Sequence, residues 1–326
     1  MGLYIAFSPT EYQGIGEFNL MNGFNNFIVL LACIFMAGCT CIEKKMFNTE
    51  IAIERYLSGL HLKTTSIDEH GIYYLEGGEG ETVMLVHGFT ADKDSWIRFA
   101  KSIIGHNHVV IVDLPGHGQS TYCKQCSYSI TSQAQYLKQI VDNLGIDQMH
   151  LAGNSMGGRI SLAFTHKFQY RVKSLALFNS AGVNAPNPSE FNKLLEQGKN
   201  IFDIKSKKDF DLLMALSMSS PPFLPWPVKS IKYQQYLARN TIHQKIYNDI
   251  TQELWGVKDI LHTIQVPVFI LWGKEDKLID VSCVPIFENK LANTKTVILE
   301  NTGHCPMLEK PKLSAKHYLE FLSHLE

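Results

Sequence analysis

Short apolar runs recur along most of the chain, and segments with helical periodicity separate them. Six of these runs are rich in Val, Ile, Leu and Phe and have no polar alternate face, as is typical of strands buried on both sides of a parallel sheet. They are Thr82–Val86, Val109–Val112, Met149–Ala152, Val172–Phe178, Val268–Trp272 and Thr296–Leu299. Two further strands are predicted ahead of them, at Leu62–Asp68 and Ile72–Glu76.

Helical patterns occupy the stretches between the apolar runs. The clearest are Ser129–Leu144, which opens on a capping serine and stops at Gly145, Met156–Phe168, and Lys312–Leu325. Strands that alternate with helices form right-handed crossovers and layered folds. The pattern therefore predicts an α/β fold with a mostly parallel central sheet flanked by helices.

The alternation stops between residues 182 and 263, where the pattern is mainly helical and includes the stiff apolar segment Pro221–Pro227. An insertion of about 80 residues inside a compact domain is rarely structureless. We therefore predict a helical cap or lid at 182–263, and a core formed by residues 62–181 and 264–326. Apolar side chains of the predicted cap would line an acyl pocket, seal the cap against the core, or do both. They are Phe210, Leu212, Leu213, Met214, Leu216 and Met218.

The composition and charge of the chain limit the kinds of molecule it is expected to bind. The 326 residues are 45% hydrophobic and 19% charged, as expected for a globular chain with a large core and an insertion. Lys and Arg number 30 against 31 Asp and Glu, which gives a net charge of −1. Since no basic stripe or acidic tail occurs, we expect no nucleic-acid partner and a small neutral substrate. Composition does not indicate the oligomeric state.

The N-terminal region contains an apolar run at Phe27–Ala37. The run is shorter than the roughly 20 residues of a membrane span, and its length suits a secretory signal. It ends in Met36-Ala37-Gly38-Cys39, which resembles a bacterial lipobox. We therefore predict a lipoprotein-type signal over residues 1–38, lipidation of Cys39 and attachment to a membrane of the cell envelope. An uncleaved anchor stays open as the alternative, because no Lys or Arg precedes Lys44.

Residues 39–61 are predicted to form a polar tether with a short helix near Thr49–Leu60. Of the seven cysteines, only Cys123 and Cys126 have a spacing typical of redox or metal sites. A zinc site would need a second pair of ligands, and the sequence offers none at a suitable spacing. An exposed loop with two free thiols is the favoured interpretation, and a local disulfide in an oxidising compartment is the alternative. No metal or cofactor is predicted.

The segment Gly153-Asn154-Ser155-Met156-Gly157-Gly158 lies between a predicted strand and a predicted helix. A Gly-x-Ser-x-Gly segment in this position is a nucleophile elbow, a tight turn that exposes the serine hydroxyl above the edge of the sheet. Residues two before and two after the serine must lack side chains for the turn to close. Ser155 is therefore the candidate nucleophile.

A serine hydroxyl needs a base, and the base needs an acid that fixes its tautomer. His304 follows the last predicted strand, which puts it at the same rim of the sheet as Ser155. Asp276 follows strand Val268–Trp272 and is the favoured acid, with Glu275 and Asp280 as rivals. His87 and His117 are expected to have structural roles in their turns.

An oxyanion that forms during attack on a carbonyl needs backbone N–H donors. The N–H of Met156, directly after the nucleophile, is one candidate. The N–H of Phe89, in the turn after strand Thr82–Val86, is the other, and Gly88 would let that turn approach the substrate.

With these residues placed, the chain resembles the α/β-hydrolase superfamily from about His70 to Leu325. It looks most similar to membrane-associated monoacylglycerol lipases and related bacterial esterases and lipases. The resemblance lies in Leu85–Phe89, Asp113–Gly118, Gly153–Gly158, Pro221–Pro225, Ile270–Asp276 and Gly303–Glu309. It implies the α/β-hydrolase fold, a Ser155–His304–Asp276 triad, an oxyanion hole at Phe89 and Met156, and hydrolysis of carboxylic esters through an acyl-enzyme.

Two other functions stay open at this point. Hydrolases that cleave carbon–carbon bonds of aromatic ring-fission products often share Gly-Asn-Ser-Met-Gly-Gly, but many carry Trp directly after the histidine, where this chain has Cys305. A binding protein that kept the fold without turnover is the remoter alternative. Dehalogenases and epoxide hydrolases of this fold use an aspartate nucleophile, which Ser155 argues against.

Overall fold

The structure is a computed structural model that describes residues 42–223, 227–253 and 259–325. The chain divides into two compact units, Met1–Glu50 and Ile51–Glu326. Of the first unit only residues 42–50 are described, and they are helical. The predicted signal at 1–38 and Cys39 lie outside the described residues. Within the described ranges, no helix has both the length and the apolar character needed to cross a membrane.

Eight strands form one sheet in the order β1-β2-β4-β3-β5-β6-β7-β8. The strands are β1 His61–Ile67, β2 His70–Gly77, β3 Thr82–Val86, β4 His108–Val112, β5 Met149–Asn154, β6 Val172–Phe178, β7 Val268–Gly273 and β8 Thr294–Leu299. The β1–β2 and β2–β4 pairs are antiparallel and the remaining pairs are parallel. This confirms the predicted mostly parallel sheet, and β3 and β6 have the predicted bounds.

Helices precede, connect and follow the strands. Residues 51–57 form α1. The others are α2 Ile97–Ile103, α3 Ile130–Asn143, α4 Met156–Phe168, α5 Glu190–Glu196, α6 Lys207–Ser217, α7 Val228–Ala238, α8 Asn240–Gln252, α9 Val284–Lys290, α10 Pro306–Glu309 and α11 Pro311–Leu322.

The sheet is buried on both faces because its central strands are mostly apolar. In β3, Met84 and Val86 pack into the cluster that includes residues of α3, α4 and α9. The alternate residues Val83 and Leu85 pack into the cluster that includes residues of α2 and α11. Helices therefore cover both faces, and the loops at the carboxyl ends of the parallel strands form one rim.

Between β6 and β7 the described residues form helices α5 to α8 and contain no strand. Phe210, Leu213 and Leu216 of α6 are buried in a cluster that also contains Leu278, from the loop after β7. Leu212 and Met214 pack against the same cluster and are partly buried. These contacts favour the sealing role for the apolar side chains of α6.

One local prediction was wrong and one needs adjustment. The helix expected near Thr49–Leu60 is present and ends at residue 57, ahead of Gly59, which lies in the left-handed region at φ 71°. Residues 42–50, most of which were expected to be tether, are helical as well. The loop expected to carry two free thiols has a disulfide between Cys123 and Cys126. A turn closed by Cys126 N–H and the Cys123 carbonyl brings the two Cα atoms to 5.3 Å, within disulfide range.

Candidate active site

Ser155 occupies the sharp turn between β5 and α4 at φ 56° and ψ −118°. A non-glycine residue with positive φ is strained, and such strain persists only where the surroundings enforce it. Here both flanking glycines are required. A Cβ on Gly153 would lie 2.3 Å from the Gly157 carbonyl oxygen, and a Cβ on Gly157 would lie 2.4 Å from that of Val86.

Main-chain hydrogen bonds fix this turn to the end of β6. The N–H of Ser155 donates to the carbonyl of Phe178 over 3.1 Å, and Ala181 N–H donates to the carbonyl of Ser155 over 3.0 Å. Ser155 itself is half-buried. The elbow predicted from the sequence is thus present, with its serine at the rim formed by the carboxyl ends of the strands.

His304 and Asp276 meet at this rim. His304 Nδ1 lies 2.7 Å from Asp276 Oδ2, and the two side chains are 6% and 0% exposed. Asn179 also donates to Oδ2 over 2.7 Å, while the N–H groups of Leu278 and Ile279 donate to Oδ1. The carboxylate is therefore held by several donors in an orientation that presents one oxygen to the imidazole.

The rival carboxylates have other partners. Glu275 Oε2 accepts a hydrogen bond from Thr302 N–H over 2.9 Å, which stabilises the loop that carries His304. Asp280 Oδ1 accepts from Ser282 N–H over 2.9 Å and caps the following helical turn. Among the three predicted candidates, Asp276 is the one whose carboxylate contacts His304.

Asn154 joins the loop of His304 to the nucleophile turn. Its side-chain amide donates to the carbonyls of Phe178 and His304, each over 3.0 Å, and the residue is 2% exposed. Sequence reasoning assigned no role to Asn154 or to Asn179, although Asn154 is part of the elbow motif. The only signal was an asparagine at, or directly after, the end of a mostly apolar strand.

The turn after β3 contacts the nucleophile turn directly. A Cβ on Gly88 would lie 3.2 Å from Ser155 Cβ, so a larger residue would crowd the serine. Phe89 follows this glycine and is half-buried. Met156 is the first residue of α4 and is 4% exposed. The two residues predicted to supply oxyanion donors thus belong to the two turns that meet at Ser155.

His87 orients the peptide unit that contains the Phe89 N–H. Leu114 N–H donates to His87 Nε2 over 3.1 Å, so Nδ1 carries the proton and donates to the Gly88 carbonyl over 2.8 Å. Burial lowers the pKa of His87, which keeps the ring neutral. Because the peptide unit is planar, holding the Gly88 carbonyl also fixes the direction of the Phe89 N–H. This agrees with the structural role predicted for His87.

The other predicted structural histidine, His117, is buried in its own loop. Its Nδ1 lies 3.2 Å from the Pro115 carbonyl, and its ring centroid is 5.1 Å from that of His87. Burial lowers the pKa of His117 well below its usual range.

Helices α7 and α8 cover the turn that contains Phe89. The Phe89 ring makes edge contacts with Phe202 and His243, at centroid distances of 5.0 and 5.9 Å. Lys232 of α7 forms an ion pair with Asp92 at 2.7 Å. Burial disfavours both charges, but their attraction prevails, lowering the pKa of Asp92 and raising that of Lys232. The ion pair therefore holds α7 against the segment that follows β3.

The described residues at this rim are not arranged as a metal site. In residues 42–223, 227–253 and 259–325, no group of three or more His, Cys, Asp and Glu side chains is arranged to hold a metal ion. Cys305, which directly follows His304, stays a protonated thiol, because burial and the carboxylates of Glu309 and Asp276 raise its pKa. The arrangement can thus supply a serine hydroxyl, an imidazole held by a carboxylate, and backbone donors.

Comparisons with known proteins identify the family of the chain. A family model described as the alpha/beta hydrolase fold matches residues 81–205. Lipase 1 of Psychrobacter immobilis is 31% identical over 306 residues, covering 91% of this chain and 96% of the lipase. A monoacylglycerol lipase of Xenopus laevis is 29% identical, covering 82% of this chain and 84% of its own length.

A solved structure extends the similarity to three dimensions. The crystal structure of a membrane phospholipase A, described as a bacterial virulence factor, superposes with a TM-score of 0.87 at 34% identity, and covers 93% of this chain and 99% of the phospholipase. Similarity of this extent spans the sheet, the elbow and the helices between β6 and β7. The chain therefore belongs to the α/β-hydrolase family.

Proposed function

We propose that this ester-hydrolysing enzyme is a lipase of neutral acyl esters, including monoacylglycerols, in which Ser155, His304 and Asp276 form the catalytic triad. The observation that carries the triad is the 2.7 Å contact between His304 and Asp276, at the rim where Ser155 occupies a strained strand-to-helix turn. The names of two relatives, a lipase and a monoacylglycerol lipase, support the substrate class.

The proposed reaction begins with attack by Ser155. Asp276 holds the proton of His304 on Nδ1, which leaves Nε2 free to accept the hydroxyl proton of Ser155 as the oxygen attacks the ester carbonyl. The N–H groups of Phe89 and Met156 stabilise the oxyanion, and each such donor contributes on the order of 10²-fold in rate. His304 then gives the proton to the leaving alcohol.

The second half of the reaction releases the acid. Water enters after the alcohol leaves, and His304 removes a proton from it as it attacks the acyl-enzyme. The oxyanion donors act again on the second tetrahedral intermediate. Each step uses a side chain or backbone group of this chain together with substrate and water, and the proton count returns to its starting value.

Replacing the nucleophile tests this function. Ser155→Ala should abolish hydrolysis of p-nitrophenyl esters and monoacylglycerols of graded chain length, and labelling by a fluorophosphonate probe, while circular dichroism stays unchanged. Ser323→Ala, at an exposed position in the C-terminal turn, is the control and should keep full activity. Near wild-type turnover by Ser155→Ala would sink the assignment, as would label found on another serine.

We also propose that Cys39 is lipidated and attaches the enzyme to a membrane. The support is the Met36-Ala37-Gly38-Cys39 segment that follows an apolar run. Cys39→Ser should move the enzyme from the membrane to the soluble fraction after cell lysis, whereas Cys41→Ser should leave it with the membrane. Continued membrane association of Cys39→Ser would favour an uncleaved anchor instead.

A further inference from the structure

The loop that carries His304 runs beside the segment that leaves α6. His304 N–H donates to the carbonyl of Ser217, the last residue of α6, over 3.0 Å. Ser220 Oγ donates to the Asn301 carbonyl over 3.2 Å. The approach is close, because a Cβ on Gly303 would lie 2.7 Å from the nitrogen of Ser219. The position of the proposed base therefore depends on a segment of the inserted helical region.

Glu309 connects the two segments. This residue ends α10, and its carboxylate accepts hydrogen bonds from both directions. On one side the N–H groups of Ser219 and Ser220 each donate to Oε2 over 2.8 Å. On the other side Gly303 N–H donates over 3.0 Å and Cys305 N–H donates to Oε1 over 3.1 Å.

The last two of these donors belong to the residues on either side of His304. Gly303 and Cys305 are its two neighbours in the chain, so the carboxylate holds the backbone on each side of the imidazole. Hydrogen bonds to an ionised acceptor are about twice as strong as neutral ones. A carboxylate accepts at both oxygens, whereas an amide in its place would turn an NH₂ group towards some of the N–H donors. The four N–H groups around position 309 therefore favour a negatively charged side chain.

We propose that Glu309 is a positioning residue that couples the segment leaving α6 to the loop of His304, so that the placement of the catalytic base depends on the position of the inserted helices. This inference rests on the proposed function of His304. The carboxylate of Glu309 binds backbone N–H groups, so the residue acts through the backbone of residues 303–305.

The test compares Glu309→Gln with Glu300→Gln in the full chain. Glu300 is a matched control, because its exposed carboxylate pairs with Lys274 on the surface and lies ahead of the same loop. Displacements of about 1 Å in an active site cost on the order of 10²-fold in rate. We therefore expect Glu309→Gln to lower kcat for a short p-nitrophenyl ester about 10- to 100-fold with KM little changed, and Glu300→Gln to behave like wild type.

Hydrogen exchange tests the coupling itself. In Glu309→Gln, amide exchange should rise both in peptides that contain residues 217–220 and in peptides that contain residues 301–305, while exchange in β5 and β6 stays unchanged. A rise throughout the chain would mean a general loss of stability and would overturn the inference. Wild-type kcat in folded Glu309→Gln would overturn it as well.

A second variant covers the case in which Glu309→Gln does not fold. Glu309→Asp keeps the charge on a shorter side chain that reaches the two segments less well. Its kcat should be lower than that of wild type, but the loss should be smaller than the loss in Glu309→Gln. Full kcat in Glu309→Asp would overturn the inference. A wild-type chain that neither hydrolyses esters nor reacts with the fluorophosphonate would overturn the proposed function and this inference with it, whereas an active wild type with unaffected Glu309 variants overturns the inference alone.

Discussion

The side-chain amide of Asn154 donates a hydrogen bond to the main-chain carbonyl of His304 over 3.0 Å. The two residues are 150 positions apart in the chain, and Asn154 directly precedes Ser155. This bond brings the loop of the proposed base to the turn of the proposed nucleophile.

Asn154→Ala should impair both folding and catalysis. It removes the donor to a buried carbonyl, and an unsatisfied buried group costs about 1–3 kcal/mol, so we expect the free energy of unfolding to fall by about 2 kcal/mol. We also expect kcat to fall by about tenfold or more, because His304 loses an anchor. Denaturant titration and ester hydrolysis measure the two effects.

Asn143→Ala is the control, since the amide of Asn143 also binds a carbonyl, that of Ser66, but at an exposed position. This variant should change neither kcat nor, beyond about 0.5 kcal/mol, the stability. Equal behaviour of the two variants would contradict the role given to Asn154.

Asp276→Asn should separate the acid of the triad from its rivals. An amide cannot hold the proton of His304 on Nδ1 in the required tautomer, so kcat should fall on the order of 10⁴-fold with little effect on KM. Asp280→Asn is the matched control, because Asn caps a helical turn about as well as Asp does, and it should keep kcat within severalfold. Comparable losses in both variants would argue against Asp276 as the acid.

The stability of the fold should fall in acid because of buried histidines, and His243 offers the clearest test. Burial, with a contribution from Arg239, lowers the pKa of His243 to about 4. In the unfolded chain the pKa of histidine is about 6.5. Between these two pH values the unfolded chain binds a proton that the folded chain does not, so stability decreases as pH falls, by up to about 1.4 kcal/mol per pH unit.

His243→Phe keeps the ring contacts with Phe89 and Tyr236 and removes this titration. The variant should therefore lose less stability than wild type between about pH 6.5 and pH 4, by up to about 3 kcal/mol in total. The measurement is denaturant unfolding at a series of pH values, with His106→Phe, at an exposed position, as control. Parallel pH curves for wild type and His243→Phe would contradict the prediction.

The disulfide between Cys123 and Cys126 predicts a specific pattern of thiol labelling. When the chain is unfolded without reductant, iodoacetamide should modify Cys283 and Cys305 and leave Cys123 and Cys126 unmodified. In the folded chain Cys283 should also resist modification, because burial and nearby carboxylates raise its pKa to about 12 and the reactive thiolate is scarce. Peptide mass spectrometry reads the labels.

Addition of reductant before unfolding is the control and should make Cys123 and Cys126 reactive as well. Cys126→Ser should lower the free energy of unfolding on the order of 2 kcal/mol, near the low end for disulfides because the closed loop is short. Alkylation of Cys123 and Cys126 without reductant would show that the bond is absent from the protein in solution.

Much of the fold could be read from local patterns. The run Thr82–Val86 and the run Val172–Phe178 are strands with the predicted bounds, because strands covered on both faces are mostly apolar and stand out from the polar segments beside them. The position of Ser155 between a strand and a helix could be predicted as well, since the flanking glycines report directly on the tightness of the turn.

The predictions that failed lie where the pattern is weak. Cys123 and Cys126 are close in the chain under any conformation, so only the observed turn decides that they are bonded. Residues 42–50 contain charged and apolar residues without a clear start signal, and the sequence therefore placed the first helical residues too late.

The sequence by itself determined the succession of strands and helices along the chain, the class of fold and the residue types available for chemistry. It could do so because burial and turn geometry constrain the residue types at neighbouring positions. The tertiary structure alone decided which carboxylate meets His304, that Asn154 binds the loop of His304, and that Glu309 holds two distant segments. Glu275, Asp276 and Asp280 differ by a few positions in one loop, and local pattern cannot separate them. Such contacts depend on the path of the chain between elements, and that path is set by packing over the whole sheet.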